Sequence, residues 1–201
     1  KDADMSGKVA IIGLGTGAMS CYAKKGELFT YFEIDPLIVD LARNPDYFSY
    51  LDNCPGKSDV VMGDGRLSLR EIPDGSFRIL VVDAFSSDSI PVHLLTKEAV
   101  QLYLRKLDQE GLIVFHISNL YVSLETVLAN IAGSLNLSAL YRDDAAVSGP
   151  ESHHGKWPST YLVMGRNLQS LSALNAWKIP QPDQNNPAWT DAYSSVFSVL
   201  K

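Results

Sequence analysis

Cysteine is nearly absent from this chain: Cys21 and Cys54 are the only two in 201 residues. That excludes a disulfide-dense mini-protein. The pair makes no metal or disulfide pattern, so a reduced, cytoplasmic environment is expected. No apolar run reaches the ~18 residues that cross a bilayer, so no membrane span is expected within the chain. Basic runs are absent too, and 17 Lys and Arg stand against 23 Asp and Glu, a net charge of −6. A chain of that sign is poorly suited to a phosphate backbone, so nucleic-acid binding is not expected. The pattern G-x-x-x-x-G-K-[ST] is missing, which excludes phosphate-loop nucleotide hydrolysis. There is no internal repeat and no low-complexity tract. The opening Lys1-Asp2-Ala3-Asp4-Met5 lacks a start methionine and the apolar region of a signal peptide. The chain is therefore expected to be a piece of a longer one.

What is present is an ordinary globular composition. At 46% hydrophobic and 20% charged, the chain can bury a core without staples. Short β-branched apolar runs recur at Val9–Ile12, Leu28–Phe32, Val60–Met62, Ile79–Val82 and Leu112–Phe115. Each is continuous and bounded by Gly, Asp or Pro, which predicts strands buried on both faces. Helix-like stretches alternate with them: Gly17–Lys25, Pro36–Arg43 with Pro at the first position, Thr96–Leu107 capped by Thr96, and Ser123–Leu135. Strand–helix alternation implies an α/β fold around a mostly parallel sheet. Leu137–Tyr141 and Thr160–Met164 have only a polar loop between them, which predicts an antiparallel pair at one end of the sheet. Residues 1–166 are read as one domain. Residues 167–201 are read as a helical tail docked on it, with Leu168–Trp177 as one helix, a Pro-rich loop at 180–187, and Trp189, Tyr193, Val196 and Leu200 on one face of a last helix.

Ligands of open α/β sheets sit outside the carboxyl ends of the strands, so those ends carry the candidate site. Strand 1 ends in Gly13-Leu14-Gly15-Thr16-Gly17-Ala18 and enters a helix, where glycines allow a sharp turn and helix N–H groups face a ligand. With Ala18 the run also satisfies the dinucleotide pattern G-x-G-x-x-G/A, so a nicotinamide cofactor stays open at this point. Strand 2 ends at Glu33, twenty residues after Gly13. That spacing suits a carboxylate accepting the two hydroxyls of a ribose. Asp35 follows and is the weaker candidate. Strand 3 ends in Gly63-Asp64-Gly65-Arg66, where Asp64 suits an adenine amino group and Gly65 permits close approach. Strand 4 ends in Asp83, inside Val81-Val82-Asp83-Ala84-Phe85-Ser86-Ser87-Asp88-Ser89-Ile90-Pro91.

The ordered set Gly-Leu-Gly-Thr-Gly, Glu33-Ile34-Asp35, Gly63-Asp64-Gly65-Arg66 and Asp83 resembles the class I S-adenosylmethionine-dependent methyltransferase fold. More narrowly, over roughly residues 8–165, it resembles the spermidine synthase (aminopropyltransferase) branch. The resemblance implies a Rossmann-like seven-stranded sheet with a reversed terminal hairpin. It implies S-adenosylmethionine or its decarboxylated form as the bound group, and no metal. Gly13, Gly15, Gly17 and Gly65 would face that group, Glu33 would bind its ribose and Asp64 its adenine. Asp83 would deprotonate and orient an attacking amine, with Asp88 as a second acid. The implied acceptor is a small amine or polyamine, in polyamine biosynthesis, and a homodimer is compatible with the resemblance.

Two departures bear on the substrate. Thr16 stands where aminopropyltransferases carry an Asp that selects the decarboxylated donor, and Asp83 and Asp88 are five residues apart where the family shows three. Residues 83–96 and Phe115-His116-Ile117-Ser118-Asn119 are similar to bacterial spermidine-synthase-like proteins in which this domain follows membrane helices. The closing Trp189-Thr190-Asp191 is similar to their last segment. The chain is thus expected to be the cytosolic domain of an inner-membrane protein. The rivals are a methyltransferase of unknown substrate and a non-catalytic nucleoside sensor, while Asp64 and Asp83 disfavour a nicotinamide oxidoreductase.

The remaining polar residues divide evenly or less favourably. His116, with Ser118 and Asn119 at its strand end, is an acceptor-site or a structural histidine in equal measure. Tyr121 walls the acceptor pocket or simply packs, and Asp191 is a weaker candidate for reaching the site. His153 and His154 have no nearby Cys or paired acid and make a poor metal site. Cys21 is expected in the core rather than as a reactive thiol.

Overall fold

The structure, a computed structural model, describes residues 8–85, 91–119, 121–144 and 158–200. Seven strands form one sheet in the order β3-β2-β1-β4-β5-β7-β6. They are β1 (Val9–Ile12), β2 (Leu28–Glu33), β3 (Lys57–Met62), β4 (Phe77–Val82), β5 (Leu107–His116), β6 (Ser138–Asp143) and β7 (Thr160–Gly165). β1 pairs in parallel with both β2 and β4, and β2 in parallel with β3. β7 runs antiparallel to β5 and to β6. The fold is therefore the expected mostly parallel α/β sheet with an antiparallel C-terminal pair. By compactness the chain divides into two units, residues 1–85 with 101–111 and residues 86–100 with 112–201.

In the first unit, β1 is buried along its whole length because both faces are covered. Tyr31, Phe32, Leu80 and Val82 join Ala10 and Ile11 in that core. Pro36–Arg43 forms α1 as predicted, with Pro at its start and the Asp35 carboxylate accepting from the Leu37 N–H at 2.8 Å. The expected helix over Gly17–Lys25 is a five-residue 3-10 turn, Ala18–Tyr22. Two short helices escaped the sequence reading, α2 (Tyr50–Asn53) and α3 (Gly65–Arg70). β3 begins three residues earlier than expected, because its polar start Lys57-Ser58-Asp59 lies on the outermost strand, where no second neighbour demands apolar side chains.

α4 (Lys97–Lys106) begins in the second unit, and its residues 101–106 belong to the first. Thr96 caps it through its Oγ1, which accepts from the Ala99 N–H. α5 (Leu124–Ser134) buries Leu124, Val127, Leu128 and Ile131 as its spacing predicts. The tail departs from expectation. Leu168–Leu174 is a 3-10 helix that sets Leu171 against Leu140 and Val163. The last segment is not one helix: Thr190 bridges Tyr193, Phe197–Val199 is a 3-10 turn, and Leu200 bridges Val122. Trp189 and Val199 are buried, while Tyr193, Val196 and Leu200 are exposed. The spacing misleads because the backbone bonds of this segment go to other elements, such as Ser123 N–H to Val199 and Lys97 N–H to Trp189.

Candidate functional site

Where β1 ends, the chain turns through Gly13, Gly15 and Gly17 at φ +100°, +53° and +78°. L side chains resist these values. At Gly13 a Cβ would also lie 2.4 Å from the Asp83 carbonyl oxygen. The turn thus presses against the exit of β4, and the Asp83 N–H donates to the Ile12 carbonyl at 2.9 Å. On the other side the Gly13 N–H donates to Phe32 at the end of β2. Gly15 is exposed and has nothing within 4 Å of its would-be Cβ, so it is the open side of the loop. Gly17 is buried, with the Leu51 side chain of α2 2.9 Å from where its Cβ would be.

Glu33 closes the second wall. It is buried, and its two carboxylate oxygens accept from the Leu14 and Asp35 N–H groups, both at 2.9 Å. It therefore ties the glycine loop to the start of α1. Asp35 itself is exposed and occupied as the cap of α1. At the end of β3 the Asp64 carboxylate caps α3 by accepting from the Leu67 N–H at 2.8 Å. Gly65 is buried, and a Cβ there would lie 2.6 Å from Ile12 Cγ2 at the end of β1. Thus Gly13, Gly15, Gly17, Glu33, Asp64, Gly65 and Asp83 all stand at the carboxyl ends of adjacent strands of the first unit. Asp88 lies outside the described residues.

A hydroxyl relay missed by the sequence reading anchors the loop from below. Buried Ser20, in the 3-10 turn, bonds the Tyr31 hydroxyl at 2.8 Å, and Ser58 Oγ donates to Ser20 Oγ at 2.9 Å. Tyr31 OH also reaches the Gly17 carbonyl at a long 3.5 Å. Burial pushes the Tyr31 phenol above its ordinary pKa, so it stays protonated across neutral pH. A Tyr in the middle of an apolar strand was the available signal, since a buried phenol needs a partner.

The cysteines require a correction. Cys21 and Cys54, 33 residues apart, are joined in a disulfide with a Cα–Cα distance of 4.7 Å. Cys21 is exposed rather than in the core. The pair has no sequence signature because β2, α1 and α2 lie between its members, and only their folding brings the two together.

In the second unit, His116 stacks on Tyr161 with ring centroids 4.7 Å apart and shares a hydrogen bond with Ser118 Oγ at 2.7 Å. Ser118 also accepts from the Thr160 N–H. Tyr121 is exposed. Asp191 accepts from Thr96 Oγ1 at 2.7 Å, and its N–H donates to Glu98. These bonds fasten the tail to the start of α4. His153 and His154 lie outside the described residues. Among the described residues, no group of acids, histidines and cysteines could hold a metal ion, and no helix is long and apolar enough to cross a membrane.

A parallel sheet whose strand order reverses between β1 and β4, with a glycine turn and carboxylates at that point, defines a Rossmann-like fold of the class I methyltransferase type. The particular likeness is to spermidine synthases. The curated polyamine aminopropyltransferase of Vibrio vulnificus (strain CMCP6) is 29% identical over 124 residues, 57% of this chain and 40% of that protein. The chain thus matches less than half of that relative's length. A probable spermidine synthase from Corynebacterium glutamicum ATCC 13032 superposes with a TM-score of 0.63 over 94% of this chain and 73% of that one, at 16% identity. The Thermotoga maritima spermidine synthase gives 0.56 over 84% and 56%, also at 16% identity. No family model matches the chain.

Proposed function

We propose that the chain is a spermidine synthase-like transferase domain that moves an aminopropyl group from decarboxylated S-adenosylmethionine to a small amine or polyamine, a step of polyamine biosynthesis. The observation that carries this reading is the crowding at the switch point. The glycine turn lies so close to Asp83 that no side chain fits at Gly13. One short stretch of strand ends thereby presents both a nucleoside cradle and a carboxylate.

The residues fit the donor. Gly15 leaves the loop open where a nucleoside approaches. Glu33 uses one lone pair on each oxygen for backbone N–H groups, and a carboxylate has about four acceptor sites, so both ribose hydroxyls can be accepted. Asp64 takes the adenine amino group, and Gly65 keeps the end of β1 close. When bound, the donor supplies an already activated carbon. The acceptor arrives as an alkylammonium with an ordinary pKa near ~10.4 and must lose a proton before it can attack. Asp83 orients that nitrogen and takes the proton. Asp88 is proposed as the second acid that draws in a cationic polyamine.

One residue favours a second reading. Thr16, half-buried in the loop, carries no charge to exclude the carboxylate of ordinary S-adenosylmethionine, which would make the reaction a methyl transfer. Calorimetry with both donor forms, followed by product analysis with a diamine, tests the two. The first reading expects binding of the decarboxylated donor and an aminopropylated product that Asp83→Asn reduces at least about a hundredfold. Methylated product from the ordinary donor overturns it in favour of the second. Binding of neither form removes both.

A further inference from the structure

The Cys21–Cys54 bond plays no part in the proposed transfer, yet it sits on the donor loop. Cys21 belongs to the 3-10 turn that starts directly after Gly17, and it is exposed. A disulfide at an exposed residue is open to exchange with a small thiolate. Cys54 directly follows α2, and α2 carries Leu51, the side chain against Gly17. α2 is a single turn of four residues whose Ser49 cap makes no side-chain hydrogen bond. One turn does not hold itself together, because nucleation fixes several dihedrals for one hydrogen bond. The covalent tie is thus one restraint on α2. The loop of chain it closes contains all of β2, Glu33 included. The 3-10 turn, by contrast, is also held by its Ser20–Tyr31–Ser58 relay. Reduction is therefore expected to loosen α2 and Leu51 on the Gly17 side.

We propose that Cys21–Cys54 is a thiol–disulfide exchange site for low-molecular-weight thiols, and that its oxidised state holds the nucleoside loop in its binding form. This rests on the reading of that loop as the donor site. In the exchange a thiolate attacks Cys21 Sγ, forms a mixed disulfide and expels the Cys54 thiolate, which takes up a proton. A second thiol resolves the mixed disulfide. Two protein thiols and one small disulfide result, and two electrons pass from the thiols to the protein bond.

The test uses the wild-type chain, air-oxidised or reduced with dithiothreitol, titrated with 5′-methylthioadenosine by calorimetry. Hydrogen exchange is followed over residues 14–22 and 50–54. Reduction is expected to weaken binding about fivefold or more and to speed exchange in both segments, and oxidised glutathione should restore both. By linkage, saturating nucleoside should make the bond harder to reduce by the same factor. Cys21→Ser and Cys54→Ser should each bind like the reduced wild type and ignore dithiothreitol, since each leaves one cysteine with no second in the chain to pair with. Equal affinity in the two states, or two thiols that oxidised glutathione cannot join, overturns the proposal alone. No nucleoside binding in either state overturns the donor-site reading and the exchange-site proposal with it.

Discussion

Glu33 serves two backbone donors from one buried carboxylate, and that decides what its replacement does. Glu33→Gln places an amide NH2 where an N–H already points, either from Leu14 or from Asp35. Hydrogen bonds to charged groups contribute ~1.5–3 kcal/mol, so the variant is expected to lose stability on that scale and donor affinity about tenfold or more. Thermal melting and calorimetry measure the two losses separately. The glycines give a sharper contrast. Gly13→Ala puts a Cβ 2.4 Å from the Asp83 carbonyl at φ +100°, so a loss of about 1–3 kcal/mol of stability is expected, together with a displaced Asp83. Gly15→Ala meets no atom within 4 Å and carries only the left-handed penalty of ~1–2 kcal/mol. Its Cβ projects into the open side of the loop, so its donor affinity should fall further than its stability does. If Gly15→Ala binds 5′-methylthioadenosine as well as the wild type does, that side of the loop is not the binding face.

Short elements here hold their places through end-to-end ties, and α3 is the clearest case. Asp64 closes its start. Buried Lys106 reaches past its last residue, donating to the Arg70 and Ile72 carbonyls and to Asp74 at 3.4, 2.6 and 2.7 Å. Lys106→Met leaves those carbonyls and Asp74 without that donor and should cost ~1–3 kcal/mol, read by chemical denaturation. The hydrogen bond from Lys106, with its charge, holds the Asp74 carboxyl below the ordinary carboxylate range. A depressed folded-state pKa stabilises above the unfolded value and is lost as pH falls through the folded one. The difference between wild type and Asp74→Asn should therefore be full at neutral pH and fade as the solution is acidified below the ordinary Asp range. Such helices are hard to see in sequence. Six residues give too few turns for a periodicity, and the informative sign in α3 was its cap, Asp64, which also served as a candidate ligand. α1 was legible because Asp35, Pro36 and eight residues of spacing agree.

At the scale of the molecule, the order β3-β2-β1-β4 sets four strand ends side by side in the first unit, and the described candidates Gly13, Gly15, Gly17, Glu33, Asp64, Gly65 and Asp83 fall on them. The disulfide closes 33 residues of that unit, and the chain-entropy account gives such a loop about 3–4 kcal/mol. Reduction should lower the melting temperature of the oxidised chain accordingly, and an unchanged melt on reduction counts against a formed bond.

The sequence by itself determined the alternation of buried strands and helices, the reversed final pair, and the carboxylates at strand ends. Those features follow from local rules: apolar runs need cover on both faces, and glycine is what a left-handed turn accepts. The tertiary structure alone decided that Gly13 abuts Asp83, that Glu33 holds Leu14, that Ser20 finds Tyr31 and Ser58, and that Cys21 meets Cys54. Each of these is a pairing between residues distant along the chain, created only when neighbouring strands set the register. The tail makes the same point in reverse. Its helical spacing was present, but its backbone bonds went to α4, α5 and β6 instead.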